Sequence, residues 1–464
     1  MYKDLKKKRV LVLGLGLHGG GVAVARFLVR AGAYVTVSDK KNKSELALSL
    51  KKLKNLSIKY VLGEHPESLL QNCDLIVQNP GVPADLLLLK QARKQKIPIV
   101  NEASLFFKYC PSDFVVGITG SRGKSTTSAL LGAILKLWRN DTTVAGNIRD
   151  QLMFDVLPTI KKHTPVVLEL SSWHLEIMGE YKIRVPNALI TNIFPEHLNR
   201  YKSFASYRAA KEQIFKWQQG RDNLVLNYDN KYTRQFASQT VAKVWWWSIK
   251  NKVSRGCFVK NKTVYFKNKS KVVSLFDLFD IKLLGEHNLA NVLAATTLAC
   301  AIGVPINYIK KGIKNFTGLH DRLEIIAVVK GVSYYNDTSA TSPEAVISAL
   351  NTLSTKPIIL IAGGVDKNLN YKELAEVIKK RVKQFILLPG TASDKIMKSL
   401  GKNYKFKAAG NMSVAVTLAK KIAKAGDIVL LSPGAASFNL FKHEFDRGEQ
   451  FKTAVFKLKK YKSQ

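Results

Sequence analysis

Gly117-Ile118-Thr119-Gly120-Ser121-Arg122-Gly123-Lys124-Ser125-Thr126 joins the apolar run Phe114 to Ile118 to another, Ala129 to Leu137. A short apolar run, a glycine-rich turn and a longer apolar run predict a strand, a turn and a buried helix. Glycines at Gly120 and Gly123 let successive backbone N–H groups turn inward around phosphate oxygens, and the helix start adds positive potential. Lys124 can then reach terminal phosphates, and the Ser125 hydroxyl, beside Thr126, can ligate Mg²⁺. The spacing is not the usual GxxxxGK[ST], because position 118 is isoleucine, and is better written GxTGxxGKST. This phosphate cradle makes the middle of the chain an α/β unit of the P-loop type.

Toward the N-terminus the same grammar recurs. Val10 to Leu13 runs into Gly14-Leu15-Gly16-Leu17-His18-Gly19 and then a helical pattern, while a second strand, Tyr34 to Val37, ends at Asp39. G-x-G-x-x-G after a strand, with an acidic residue near the end of the next one, predicts a nucleotide-type site. Taken alone it fits a nicotinamide dehydrogenase, but hydride transfer has no use for a second cradle containing Lys124. Short runs at Leu75 to Val77 and Ile97 to Val100 complete a parallel α/β unit over about the first 110 residues.

Strands are predicted on the other side at Val166 to Leu170, Ala188 to Ile190 and Asn223 to Leu226. The Lys- and aromatic-rich span 243–275, with Trp245-Trp246-Trp247 read as core, is expected to add β-structure. After Phe316-Thr317-Gly318 the α/β rhythm resumes with strands at Val332 to Tyr335, Pro357 to Ile361, Gln384 to Leu388 and Asp427 to Leu431, predicting a third parallel sheet. The expected organisation is therefore three α/β domains, at 1–110, 111–318 and 319–464, the outer two Rossmann-like. A length of 464 residues agrees with about three domains.

Composition narrows the setting. Hydrophobic residues at 46% and charged residues at 23% give ample material for burial and exclude a disordered chain. Lys plus Arg number 73 against 34 Asp plus Glu, a net charge of +39 that would suit an anionic partner such as nucleic acid, membrane or phosphate-rich substrates. The basic residues are scattered along the chain, however, which predicts a solvated lysine-rich surface. A nucleic-acid binder would show an affinity that falls steeply with salt, and no motif requires one. The four cysteines lie far apart with no CxxC pair, the N-terminus lacks a signal-peptide layout, and no uncharged apolar stretch reaches the length of a membrane span. A cytoplasmic protein is the expectation.

Three further residues could carry chemistry. Glu169 ends an apolar strand, where a carboxylate would lie near the phosphate turn of a parallel sheet and could ligate Mg²⁺. His197 follows another strand in Asn192-Ile193-Phe194-Pro195-Glu196-His197, although a single histidine is usually structural. Lys211, on a helical stretch with Ala209, Ala210 and Ile214, reads by itself as a surface lysine.

In order, these segments resemble the Mur ligase family, ATP-dependent amide-forming enzymes of peptidoglycan synthesis. The resemblance runs over nearly the whole chain: Gly117 to Thr127, Glu169-Leu170-Ser171-Ser172, Glu196-His197-Leu198-Asn199-Arg200-Tyr201, Tyr207 to Lys211, Gly285 to Asn291, His320-Asp321-Arg322-Leu323-Glu324, Asn336-Asp337-Thr338 and Ser432-Pro433-Gly434. Within the family, Gly14 to Leu17, Ser38-Asp39 and Asn79-Pro80-Gly81-Val82 look like the branch that adds D-glutamate to UDP-N-acetylmuramoyl-L-alanine. The resemblance implies that Gly14, Leu15, Gly16, Asp39, Asn79 and Gly81 hold the UDP end, and that Asn147 contacts the muramoyl part. It implies that Lys124 and Ser125 bind ATP and Mg²⁺ with Glu169, and that His197 and a carbamylated Lys211 hold a second Mg²⁺. Asn288, Asn291, Arg322 and Asp337 would contact the nucleotide, the last two when the third domain closes, and Thr341, Lys367, Ser437 and Phe445 would bind the amino acid. A monomer acting on small molecules is implied, through an acyl phosphate.

The chain departs from the family in three places. Ser339 stands where glutamate-adding members carry lysine, Glu444 where an aromatic is usual with Phe445 one place later, and Arg122 where asparagine is usual. The first two leave the amino acid and its handedness open, so a relative using L-glutamate or another amino acid is the second reading.

Overall fold

The computed structural model describes residues 2–17, 19–148, 151–196, 200–437 and 440–460. They build three sheets. The first is wholly parallel, in the order β3-β2-β1-β4-β5, from β1 (Arg9–Leu13), β2 (Tyr34–Asp39), β3 (Ile58–Leu62), β4 (Leu75–Gln78) and β5 (Ile99–Val100). Its central strand β1 is buried from Val10 to Leu13, which is why it reads as a continuous apolar run rather than an alternation.

The second sheet has β6 (Val115–Thr119), β7 (Thr143–Gly146), β8 (Val166–Glu169), β9 (Asn187–Ile190), β10 (Asn223–Asn227), β11 (Lys243–Ser248), β12 (Gly256–Lys260), β13 (Thr263–Asn268) and β14 (Lys271–Asp277). The order is β14-β13-β12-β11-β10-β9-β6-β8-β7, parallel from β7 to β12 and antiparallel from β12 to β14. The phosphate turn therefore leaves β6, flanked by β8 and β9, and the three strands end on the same edge because all run parallel. Of the tryptophans expected in the core, Trp245 and Trp247 are buried but Trp246 is only half-buried, since successive residues of a strand face opposite sides.

The third sheet, β15 (Glu324–Val329), β16 (Val332–Asn336), β17 (Ile358–Ala362), β18 (Val382–Leu387), β19 (Lys407–Ala408) and β20 (Ile428–Leu431), has the order β15-β16-β20-β17-β18-β19. The prediction of a parallel sheet needs correction at one edge: β15 joins β16 by a two-residue turn at Lys330-Gly331 and pairs with it antiparallel. So short a connection cannot cross over to a parallel partner.

By contact density the chain falls into two compact units, 1–281 with 287–316, and 282–286 with 317–464. The first two sheets share a unit because their helices merge into one core: Phe27 lies 4.4 Å from Phe154 between ring centroids, and Phe106 lies 6.2 Å from it. The helices Gly20–Arg30, Glu102–Tyr109 and Met153–Val156 supply those contacts. No helix among the described residues is long and apolar enough to cross a membrane.

Candidate active site

β6 delivers Gly120 at φ 146° and Gly123 at φ 86°, and both glycines are obligatory. A Cβ on Gly120 would stand 1.9 Å from Thr191 Oγ1, and one on Gly123 would stand 2.1 Å from Asn291 Oδ1. Positive φ and close approach both exclude larger residues. Helix Lys124–Trp138 begins directly after Gly123, with Lys124, Ser125 and Thr126 in its first turn and Gly123 as a cap with no side chain to offer. Its leading N–H groups therefore face the turn.

The rest of the turn is held by the β9 loop. Ser121 N donates to Asn192 O (2.9 Å), Arg122 N donates to Asn192 Oδ1 (2.9 Å), and Thr191 Oγ1 and Asn192 Nδ2 donate to Arg122 O (2.7 and 3.1 Å). Thr191 and Asn192, not singled out in the sequence, act at short range on a turn some 70 residues away.

Two lysines converge on one carbonyl. Lys124 Nζ donates to Gly120 O (3.0 Å) and Ser121 O (2.9 Å), and Lys211 Nζ donates to the same Gly120 O (2.9 Å). Lys211 is 2% exposed, against the surface position its helical spacing suggested, and its ammonium lies 4.9 Å from the centre of the Tyr207 ring. Burial holds its amine well below the usual lysine range; Lys124 adds to that, while Glu196 and Glu169 oppose it. A lowered amine pKa favours the neutral, nucleophilic form over the cation.

Glu169, at the end of β8, is 1% exposed and so is not a solvent-facing strand end. Its Oε1 accepts from Asn147 Nδ2 (3.1 Å), while Oε2 is buried with no hydrogen-bond partner among the described residues. A buried carboxylate oxygen lacking a donor suits a cation, and the hydroxyl of Ser125, in the first turn of helix Lys124–Trp138, is an oxygen donor of the kind Mg²⁺ takes, so the chemistry of these residues fits that ion. Among the described residues no three His, Cys, Asp or Glu side chains converge as a metal cluster. His197 lies outside the described residues.

Asn288 and Asn291 share the start of helix Glu286–Ala301, Asn291 Nδ2 donating to Asn288 Oδ1 (3.2 Å) while Thr127 Oγ1 donates to Asn291 Oδ1 (3.4 Å). This anchors both asparagines beside Gly123.

The first glycine turn is organised differently from a dinucleotide site. Asp39 Oδ2 accepts from Leu15 N (2.8 Å) and Gly16 N (3.0 Å), and Oδ1 accepts from Lys41 N (2.9 Å). Asn79 Nδ2 donates to Gly14 O, and Ser49 Oγ to Gly16 O. Asp39 is thus spent on shaping the turn, which weakens its reading as a ribose acceptor for a nicotinamide cofactor. Gly81 lies exposed beside this turn in the β4 loop.

In the second unit, Asp337 follows β16 and accepts from Ser432 Oγ (2.8 Å) and Leu323 N (3.2 Å); burial pushes its carboxyl up to about 7, with Arg322 opposing. Val365 and Ala436 form an antiparallel bridge that brings the Lys367 loop against the Ser437 loop. Ser437 Oγ is buried without a hydrogen-bond partner among the described residues, and Phe445 packs edge-on to His443 at 5.9 Å. Thr341 N donates to Ser339 O (3.0 Å) in the loop after Asp337. No local pattern marks Arg447, a fully buried arginine that donates to Thr338 Oγ1, Thr338 O and Ala435 O at 3.0–3.1 Å and clamps two of these loops together.

Three family models match successive parts of the chain. Residues 8–101 match the Mur ligase MurD-like N-terminal domain, 118–299 the Mur ligase middle domain, and 321–434 the Mur ligase glutamate ligase domain. A UDP-N-acetylmuramoylalanine--D-glutamate ligase from Roseiflexus sp. (strain RS-1) is 42% identical over 97% of this chain and 99% of its own length. One of the same name from Alkaliphilus metalliredigens is 38% identical over 98% and 100%. Among solved structures, a UDP-N-acetylmuramate-alanine ligase from Thermotoga maritima aligns with TM-score 0.64 at 21% identity, covering 98% of this chain and 100% of that one, a likeness of fold.

Proposed function

The chain belongs to the Mur ligase family, and from that premise we propose its reaction: ATP-dependent joining of D-glutamate to UDP-N-acetylmuramoyl-L-alanine, in peptidoglycan precursor synthesis. Full-length relatives bearing that activity in their names support the choice of substrate. The observation that carries the chemistry is the meeting of Lys124, Lys211 and the half-satisfied Glu169 around the Gly120 turn.

A carboxylate is a poor acyl donor because oxide would have to leave, so the alanyl carboxylate must first take the γ-phosphoryl group. Two anions then have to approach, and Lys124, at a helix start, offsets their repulsion. Phosphate can leave the resulting acyl phosphate when the glutamate amine attacks, giving amide, ADP and phosphate. Ser125 and Glu169 would hold one Mg²⁺, and His197 with a carbamylated Lys211 a second. When bound, Mg²⁺ screens the phosphate charge. A neutral amine at Lys211 is the form that can add CO₂. Asn288 and Asn291 are read as nucleotide contacts of the first unit, Arg322 and Asp337 as those of the second. Gly14, Leu15, Gly16, Asp39, Asn79, Gly81 and Asn147 are read as the UDP-substrate side, and Thr341, Lys367, Ser437 and Phe445 as the glutamate side.

We place the domain boundaries at 110 and 318, and read the enzyme as a cytoplasmic monomer that needs no nucleic acid. Unpaired cysteines at all four positions agree with a reducing compartment. The test is ADP release from ATP with UDP-N-acetylmuramoyl-L-alanine and a panel of D- and L-amino acids, with hydroxylamine as a trap. Without hydroxylamine, sustained release that requires D-glutamate is expected; with hydroxylamine in place of the amino acid, a hydroxamate formed together with ADP is expected. Release driven by L-glutamate instead would transfer the reading to a sibling ligase, and no hydroxamate would remove the acyl phosphate.

A further inference from the structure

Arg122 occupies the cradle where the family usually has asparagine, and its surroundings say what the change does. Its backbone is pinned on both sides, by Asn192 Oδ1 at its N–H and by Thr191 and Asn192 at its carbonyl, so the side chain is rooted at the lip of the turn. Its Nε donates to Glu196 Oε1 at 3.1 Å. Neither terminal guanidinium nitrogen has a hydrogen-bond partner among the described residues, and the side chains of Arg122 and Glu196 are 50% and 24% exposed. An ion pair this open to water holds weakly and exchanges readily. The guanidinium fork, by contrast, matches two oxygens of one phosphate.

We infer that Arg122 is a second phosphate-gripping cation of this turn. Before nucleotide arrives, its guanidinium rests on Glu196; a nucleoside triphosphate entering the cradle takes the two open nitrogens onto its terminal phosphates. The inference rests on the triphosphate site proposed above. Lys124, two residues on, is drawn back onto the Gly120 and Ser121 carbonyls, so an approaching phosphate meets the arginine at the rim and the lysine within.

The experiment is calorimetric titration of the full chain with ATP, ADP and AMP in the presence of Mg²⁺ and without the UDP substrate, for the wild type, Arg122→Asn, Arg122→Lys and Glu196→Gln. Arg122→Asn is expected to lose about tenfold in ATP affinity, the weight of one charge-assisted hydrogen-bond pair, while AMP affinity stays unchanged. Arg122→Lys should recover part of the loss, and Glu196→Gln should bind ATP as tightly as the wild type or more tightly. Melting temperatures of the variants, taken alongside, separate misfolding from lost contact. Equal ATP affinity in wild type and Arg122→Asn, or an equal loss for ATP and AMP, would overturn the inference. A wild-type chain that binds no ATP would instead sink the proposed reaction.

Discussion

Lys211 pays for its burial in stability. Its amine is enclosed by the Gly120 carbonyl, Tyr207 and the Lys124 ammonium, none of them an anion in direct contact. Because the folded chain holds that amine below the unfolded lysine value, the group destabilises the fold at any pH where the unfolded chain would protonate it, and the penalty fades only as pH rises toward the ordinary lysine value of 10.5. Lys211→Met should therefore melt a few degrees higher at neutral pH, about 1 kcal/mol more stable, while ligase turnover falls on the order of a hundredfold or more. Differential scanning calorimetry in CO₂-free buffer, paired with phosphate release, checks both. A variant with unchanged turnover would return the residue to a structural role.

At the level of elements, two helix starts carry testable features. Helix Glu102–Tyr109 begins with Glu102, 6% exposed, whose Oε1 has no hydrogen-bond partner among the described residues and whose carboxyl burial pushes up to about 7. A raised carboxyl favours the fold below the unfolded value of 4.5, and that contribution is lost as pH rises through about 7. Glu102→Gln should therefore gain about 1–3 kcal/mol at pH 8.5 and little at pH 4.5, read from urea unfolding at the two pH values; a gain independent of pH would contradict the burial assignment. Gly123, ahead of helix Lys124–Trp138, has the opposite sensitivity. Gly123→Ala must force its methyl group into Asn291 at positive φ, so about 2 kcal/mol of strain is expected, with ATP binding lost in calorimetry beyond what the melting shift accounts for.

For the whole molecule, the two compact units predict that damage stays local. Arg447 ties the loops after β16 and β20 through three hydrogen bonds, wholly within the second unit. Arg447→Ala strands the Thr338 and Ala435 carbonyls and leaves a cavity, at a cost of about 3 kcal/mol or more. Calorimetry should show a second-unit transition moved down and a first-unit transition left in place. A uniform shift of both would show that the units unfold as one. The +39 charge is spread over exposed lysines in both units and is expected to affect solubility and salt response rather than fold.

How much was legible depends on the range of the forces involved. The two glycine turns, the strand-end position of Glu169 and the central strands could be read directly, because turn geometry and buried parallel strands depend on residues within a few positions of one another. The edge strands β3 and β15 escaped notice: partly exposed edges lack the continuous apolar run. Lys211 looked like a surface lysine because its burial comes from a carbonyl 91 residues away. Arg447 resembled any helical arginine for the same reason, its partners Thr338 and Ala435 being joined only by folding. Residue order alone thus determined the α/β rhythm, the phosphate turn and the family likeness. Tertiary structure alone decided which charges are taken out of water and what faces them there, since desolvation is a property of the packed whole and not of any local stretch.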